Sequence, residues 1–347
     1  MKRLLALGAV VLTTAALAWA GSDDQPKAGG APKPVITKAV KGEQCVEPTD
    51  FMRRNHMKVL MHHRDETVLE GIRTKKYSLK ECINCHASEK TGSVAASKDD
   101  FCVSCHSYAV TGSADGLGQL SAKLLADQGH KVVLHARNAN RAIYATGKVP
   151  HAISVITGDL SDLEATKRIA QEVNALDPFD AIVHNAGVYQ ASTEEILNVN
   201  VLAPYILTFL IQKPKRLIYL SSGMHQSGRV NFENLKNGRS ISYSDSKRYV
   251  LMLAKAVARI WPDVYSNAVD PGWVPTKMGG PGAPDDLQKG FETQAWLAAS
   301  NDAQALVSGH YFFHQKTSRY NYLADDIKLQ EQLLDVCKEI TGVSFTK

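Results

Sequence analysis

The chain has 347 residues, of which 44% are apolar and 22% charged, and its formal net charge is +5. That length allows two domains, or one α/β domain with an appendage, and the composition suits a substantial core. The basic residues are scattered rather than massed, which leaves no patch for nucleic acid and excludes it as a partner.

The chain opens with Lys2 and Arg3, an apolar run over residues 4–18 and the small-x-small triplet Ala18-Trp19-Ala20. This pattern predicts a secretory signal over residues 1–20, or a membrane anchor where it stays uncleaved. Residues 21–42 are rich in Pro, Gly, Ala and Lys without apolar period, and read as a linker. Residues 51–69 carry Phe51, Met52, Val59, Leu60, Val68 and Leu69 among charges, the pattern of a helix.

Five of the six cysteines lie between positions 45 and 105, and Cys337 stands alone in the long remainder. A disulfide framework among the five would leave an odd thiol. Four of them form Cys82-Ile83-Asn84-Cys85-His86 and Cys102-Val103-Ser104-Cys105-His106. The cysteine spacing alone would also suit a zinc ribbon. The histidine directly after each second cysteine decides for c-type haem: two thiols meet the two vinyls, and His86 and His106 become proximal iron ligands. Up to two haems c are expected. Cys45, His56, Met57, Met61, His62 and His63 are the available distal donors.

The run CVEPTDFMRRNHMKVLMHH through ECINCHA and FCVSCHSYA resembles the multihaem cytochrome c J subunit of the Dsr sulfur-metabolism transmembrane complex, over about residues 1–109. The resemblance implies a periplasmic electron carrier in a membrane redox complex, with a cysteine axial ligand that Cys45 would match. The sequence departs from it by lacking a third Cys-x-x-Cys-His motif.

From residue 110 the pattern changes to short apolar runs at 131–135, 152–156, 179–184 and 216–220, separated by segments of helical period such as 118–128 and 163–176. Repeating strand–helix units of this kind predict a doubly wound parallel sheet with its ligand at the carboxyl ends of the strands. In TGSADGLG, Gly112, Gly116 and Gly118 let the backbone approach a pyrophosphate at a helix N-terminus. Arg137, after the second strand and with no acid beside it, favours the 2′-phosphate of NADP over NAD. Tyr243 and Lys247 share one helix face, so the ammonium is expected to lower the phenol pKa toward working pH. Ser222, after the 216–220 strand, is placed to hold a substrate oxygen, with Ser221 as its rival.

This ordered set resembles the short-chain dehydrogenase/reductase family from about residue 110 to the end. The resemblance implies Tyr243 as general acid/base, Lys247 as its electrostatic partner and ribose ligand, Ser222 as the carbonyl-orienting hydroxyl and Asn200 as holder of a relay water. It assigns the cofactor to Gly112, Ser113, Asp115, Gly116, Leu117, Gly118, Arg137, Asp159, Leu160, Asn185, Ala186, Gly187, Pro271, Gly272, Val274 and Thr276. The stretch 223–241 reads as an insertion of the kind retinol-dehydrogenase-like members carry. Residues 275–286 are expected to form a substrate lid. Trp273 and Met278 suggest a small apolar alcohol or carbonyl as partner, and the family's habit of pairing through helices implies a homo-oligomer.

The expected fold class is α/β: a Rossmann-like doubly wound parallel sheet over residues 110–347, preceded by a small, mostly irregular or helical c-type cytochrome segment over 43–109. The two halves demand different compartments. The haem motifs need export, whereas the dehydrogenase half alone would be cytoplasmic. The frame therefore reads as a fusion, with a truncated cytochrome joined to a dehydrogenase whose first strand is short. Three functions fit: a carbonyl reductase, an electron-transfer cytochrome, and a non-catalytic scaffold.

Overall fold

The computed structural model describes residues 46–48, 51, 52, 59, 83, 85–87, 108–112, 115–176 and 178–345, with 108–112 described as backbone. The expected signal and linker, residues 1–42, lie outside the described residues, as do Cys45, His56, Met57, Met61, His62, His63, Cys82, Cys102, Cys105, His106 and Ser113. Positions 51, 52 and 59 are helical, as expected for that stretch. Positions 83, 85 and 86 are helical too, and the Ala87 N–H donates to the Ile83 carbonyl at 2.8 Å.

The described chain from Tyr108 builds one eight-stranded sheet in the order β3-β2-β1-β4-β5-β6-β7-β8. The strands are β1 (Tyr108–Gly112), β2 (Lys131–Ala136), β3 (Ser154–Thr157), β4 (Ala181–His184), β5 (Arg216–Leu220), β6 (Tyr265–Asp270), β7 (Tyr311–Phe313) and β8 (Lys316–Thr317). All neighbours pair in parallel except β7 and β8, which form an antiparallel edge. Strand order reverses between β1 and β4, so a crevice opens there at the carboxyl ends, where doubly wound sheets bind their ligands.

β1 begins at Tyr108, two residues before the expected boundary, and takes Thr111 and Gly112 from the glycine motif. All five of its residues are in register with β2, from Tyr108↔Lys131 to Gly112↔His135. Five residues are an ordinary strand length. The expected shortfall in the first strand is therefore absent, because the glycine motif itself completes the strand.

The sheet alternates its side chains between two apolar layers, as a pleated strand must. Val133, Ile182, Leu217, Tyr219 and Ala268 point to one side and Val132, Leu134, Val183, Ile218, Leu220 and Val269 to the other. The second layer is closed by α1 (Gly116–Asp127) and later by α8 (Leu287–Ala299). On α1 the buried residues are Gly118, Ser121, Ala122, Leu125 and Ala126, a spacing of three and four that keeps them on one stripe.

Between these come α2 (Ala139–Lys148), α3 (Leu163–Asn174), α4 (Thr193–Leu197), α5 (Ala203–Leu210), α6 (Phe232–Lys236) and α7 (Tyr243–Ile260), with α9 (Ile327–Thr341) last. The first layer packs on α3, α5, α7 and α9 through Ile169, Ile206, Leu251, Val257 and Leu333. A one-turn π-helix, Asn198–Leu202, links α4 to α5, and a 3-10 turn, Gly223–Ser227, follows β5.

Candidate active site

At the adenosine side, Gly112 ends β1 and Gly116 opens α1 with a φ of +56°, a conformation that side chains rarely adopt. The free N–H groups of the first turn of α1 make this loop a suitable place for a pyrophosphate. Leu117 is half-buried and Gly118 buried on the same turn. Asp115, the N-cap residue, makes no side-chain cap. Its carboxylate instead accepts from Arg141 of α2 and, at 3.0 Å, from Lys277.

Arg137 follows β2, is 64% exposed, and sets its Nε 4.0 Å from the Asp159 carboxylate. Ser161 holds Asp159 through its N–H at 2.9 Å and its hydroxyl at 2.7 Å, while Leu160 is buried beneath. The His135 Nε2, 2.8 Å from the Gly158 carbonyl, ties the ends of β2 and β3 together.

After β4, the half-buried Asn185, Ala186 and Gly187 run along the crevice. A Cβ on Gly187 would stand 3.3 Å from Lys247 Nζ and 3.4 Å from Asn200 Oδ1, so only glycine leaves that space open. After β6, Pro271 and Gly272 turn the chain, Val274 is buried, and Thr276 lies 3.7 Å from where a Cβ of Gly116 would be. The glycine loop and the β6 loop therefore face each other across the crevice.

The catalytic side begins at α7. A capping box, with Asp245 N–H donating to Ser242 Oγ at 3.1 Å and Ser242 N–H to Asp245 Oδ2 at 2.9 Å, starts the helix at Tyr243. Lys247 falls one turn later, on the same face. It is 4% exposed; its ammonium donates to the Leu220 carbonyl at 2.8 Å and lies 5.4 Å from the Tyr243 ring centroid. Burial lowers its pKa to about 8, against the upward pull of the Asp270 charge.

The Ser222 hydroxyl faces the Tyr243 phenol, and Tyr189 meets that ring edge-on at 4.9 Å. The phenol pKa is pushed up to about 12, first by burial and then by the charge of Asp270, with the nearby Ser222 hydroxyl acting downward. This corrects the expectation that the phenol pKa falls toward working pH. The Lys247 nitrogen stands over the ring and is spent on Leu220, while desolvation of the phenolate dominates.

The rivalry between the two serines is resolved by strand alternation. Ser221 is buried and donates backwards to the Lys247 carbonyl at 2.8 Å, whereas Ser222 faces the phenol. Asn200 sits inside the π-turn. Its amide donates to the Val188 carbonyl at 2.9 Å and to Ser246 Oγ at 3.0 Å, and its Oδ1 accepts from Val188 N–H at 2.8 Å. Both amide hydrogens are thus engaged in clamping the β4 loop to α7.

The motif Asp270-Pro271-Gly272 includes Asp270 without giving it a role, and no motif assigns one to His225 or Tyr311. His225 is buried beside Ser222, donates from Nδ1 to the Ser222 carbonyl at 2.7 Å and accepts the Asn321 N–H on Nε2 at 3.2 Å. Its ring packs on Tyr311 at 4.8 Å. Asp270 ends β6 directly before the Pro-Gly turn, and its place in that motif was the available signal. The expected lid, residues 275–286, is closed on its own backbone: Trp273 N–H donates to Asp285 at 2.6 Å, Trp273 Nε1 to the Gly279 carbonyl at 2.8 Å, and Gly280 N–H to the Thr276 carbonyl at 2.8 Å.

Of the expected haem donors, Cys85 and His86 are described, both half-buried on one helical turn. Among the described residues, no three His, Cys, Asp or Glu side chains converge on one point.

The fold and the Ser222–Tyr243–Lys247 constellation define an α/β oxidoreductase of the doubly wound class. The chain belongs to the short-chain dehydrogenase family, whose model matches residues 107–286. It is 44% identical to an oxidoreductase of Emericella nidulans over 247 residues, covering 67% of this chain and 96% of that protein. It is 36% identical to a short-chain dehydrogenase of Penicillium rubens over 251 residues, covering 68% and 97%. A protein of Mycobacterium paratuberculosis has the same fold, with a TM-score of 0.59 at 22% identity, over 70% of this chain and 95% of that one.

Proposed function

We propose that this short-chain dehydrogenase interconverts a small apolar alcohol and its carbonyl compound with NADP(H). The observation that carries the reading is the hydroxyl–phenol–ammonium set of Ser222, Tyr243 and Lys247 at the carboxyl ends of β5 and β6, beside the glycine loop. The open space at Gly187 and the turn at Gly116 fit a dinucleotide, which Gly112, Ser113, Asp115, Leu117, Asn185 and Thr276 would flank. A bound nicotinamide supplies the hydride for reduction or takes it in oxidation.

In reduction, Ser222 donates a hydrogen bond to the substrate oxygen and Tyr243 gives it the proton that makes the alcohol. In oxidation Tyr243 takes that proton back. Lys247 lowers the cost of the resulting phenolate and holds the ribose. At neutral pH the Tyr243 phenol is protonated, as a donor must be. Arg137 supports NADP over NAD, because its exposed guanidinium, paired with Asp159 through Nε at 4.0 Å, can also meet a 2′-phosphate. Tyr189 against the phenol, and Met224, Trp273 and Met278 on the loops after β5 and β6, leave apolar surface exposed, which supports an apolar substrate. Titration with NADPH and NADH, followed by nicotinamide fluorescence and by oxidation at 340 nm against a panel of aliphatic and aromatic ketones, tests the reading. NADPH binding and turnover are expected, and binding of neither nucleotide would overturn it.

For residues 43–109 we infer a c-type cytochrome segment, with haem attached at Cys82/Cys85 and Cys102/Cys105 and the histidines 86 and 106 on iron. The support is the double Cys-x-x-Cys-His pattern, with Cys85 and His86 adjacent on a helical turn. This reading makes the chain periplasmic or membrane-anchored and an electron-transfer partner of a membrane redox complex. Haem absorbance that survives denaturation and precipitation tests it, and apoprotein from a host competent in haem attachment would overturn it.

A further inference from the structure

Asp270 ends β6, and three other segments surround its carboxylate. Its Oδ1 accepts the Gly272 N–H at 3.0 Å. Its Oδ2 lies 3.0 Å from where a Cβ on Gly223 would be, so the turn after Ser222 passes directly against it. Toward β5, Val269 pairs with Leu220, the residue whose carbonyl receives the Lys247 ammonium at 2.8 Å. Toward β7, Phe313 pairs with Asp270, and the buried Tyr311 hydroxyl faces the carboxylate without the alignment of a formed hydrogen bond.

Four titratable groups lie within reach of the Asp270 charge: Tyr243 and Lys247 from α7, His225 from the 3-10 turn and Tyr311 from β7. Both tyrosines are neutral, and His225, which gives one N–H and accepts another, is in its neutral tautomer. Arg248 points its guanidinium at the carbonyls of His225 and Gln226. Lys247 is therefore the cation on which the Asp270 charge acts, and among the described residues Asp270 is the acid that acts on it.

We propose that Asp270 is the counter-ion that keeps the buried Lys247 an ammonium, and hence a positioning residue of the dehydrogenase site. The inference rests on the reading of Lys247 as partner of Tyr243 and ligand of the cofactor ribose. An amine buried without an opposing charge sheds its proton, and a neutral amine neither steadies a phenolate nor gives charged hydrogen bonds to ribose hydroxyls. A negative charge favours the protonated form of every group it faces. Removing it lowers the pKa of Lys247, and that of Tyr243 with it.

The test measures the NADPH dissociation constant by fluorescence from pH 6 to 10 in the full chain and in Asp270→Asn, Asp270→Glu and Lys247→Met. Asparagine keeps an acceptor for the Gly272 N–H and removes only the charge. Wild-type affinity is expected to fall as pH passes about 8. In Asp270→Asn the same fall is expected at least about one pH unit lower, Asp270→Glu restores it, and Lys247→Met lacks it. Asp270→Ser, which also retains an acceptor, gives the same shift and serves if the asparagine variant melts early. A neutral variant that keeps the wild-type midpoint, while Lys247→Met loses the step, overturns this inference and leaves the proposed function standing. A step that persists in Lys247→Met overturns it as well. Failure of the wild type to bind NADPH overturns both.

Discussion

At the adenosine end of the crevice, Arg137, Arg141 and Lys277 meet Asp159 and Asp115 with all five side chains about a third to three-quarters exposed. At the catalytic end, Lys247 is 4% exposed and its charge is answered from inside the fold by Asp270. Exposed pairs are screened and worth roughly 0–1 kcal/mol each, whereas a buried charge alters both stability and the protonation of its neighbours. The first end can thus vary in sequence at small cost to the fold. The second couples chemistry to folding.

The largest expected effect breaks that coupling. Lys247→Met should lower kcat by about 10²–10⁴-fold, the range for losing one proton-transfer device. It should also stabilise the fold. The folded pKa of about 8 lies below the ordinary lysine value of 10.5, so the burial cost is fully present below pH 8 and is relieved as pH rises through that window. Removing the amine should raise unfolding free energy at pH 7 by up to about 3 kcal/mol, read by urea denaturation, with the gain fading toward pH 10.5. A destabilised and fully active variant would contradict the contrast between the two ends.

Ser222→Ala should cost about 10²-fold in kcat with little change in NADPH affinity. Ser221→Ala removes a buried bond to the Lys247 carbonyl and should appear in melting temperature first, by roughly 1 kcal/mol of stability. Steady-state kinetics and thermal melts on the two variants separate the roles. At the adenosine end, Arg137→Ala should weaken NADPH by about tenfold and leave NADH nearly unchanged, in keeping with one charged hydrogen bond to a phosphate. Lys277→Ala is expected to shift stability by less than about 1 kcal/mol, because its partner Asp115 keeps Arg141.

These two ends also differ in how far they could be read from the sequence. The glycine turn, Arg137 and the Tyr243/Lys247 pair are local patterns, and their spacing alone places them on a strand end, a loop and one helix face. Part of the sheet was legible for the same reason, since β2, β4 and β5 are short, continuous apolar runs separated by segments of helical period. Asp270 was not legible as a neighbour of Lys247, because their contact depends on β5 and β6 lying side by side. His225 needed the Asn321 backbone, almost a hundred residues on, to fix its tautomer. The upward shift at Tyr243 reversed the expectation because an i,i+4 spacing conveys proximity but not desolvation. Helical period also gave no sign of the π-turn at Asn198–Leu202, where Asn200 acquires partners that commit its amide.

The most direct test of the central claim is NADPH oxidation at 340 nm by the wild type and by Tyr243→Phe, with a ketone that the wild type reduces. Tyr243→Phe should bind NADPH with near wild-type affinity and turn over about 10²–10⁴-fold more slowly. Turnover by the phenylalanine variant at the wild-type rate would contradict Tyr243 as the proton donor.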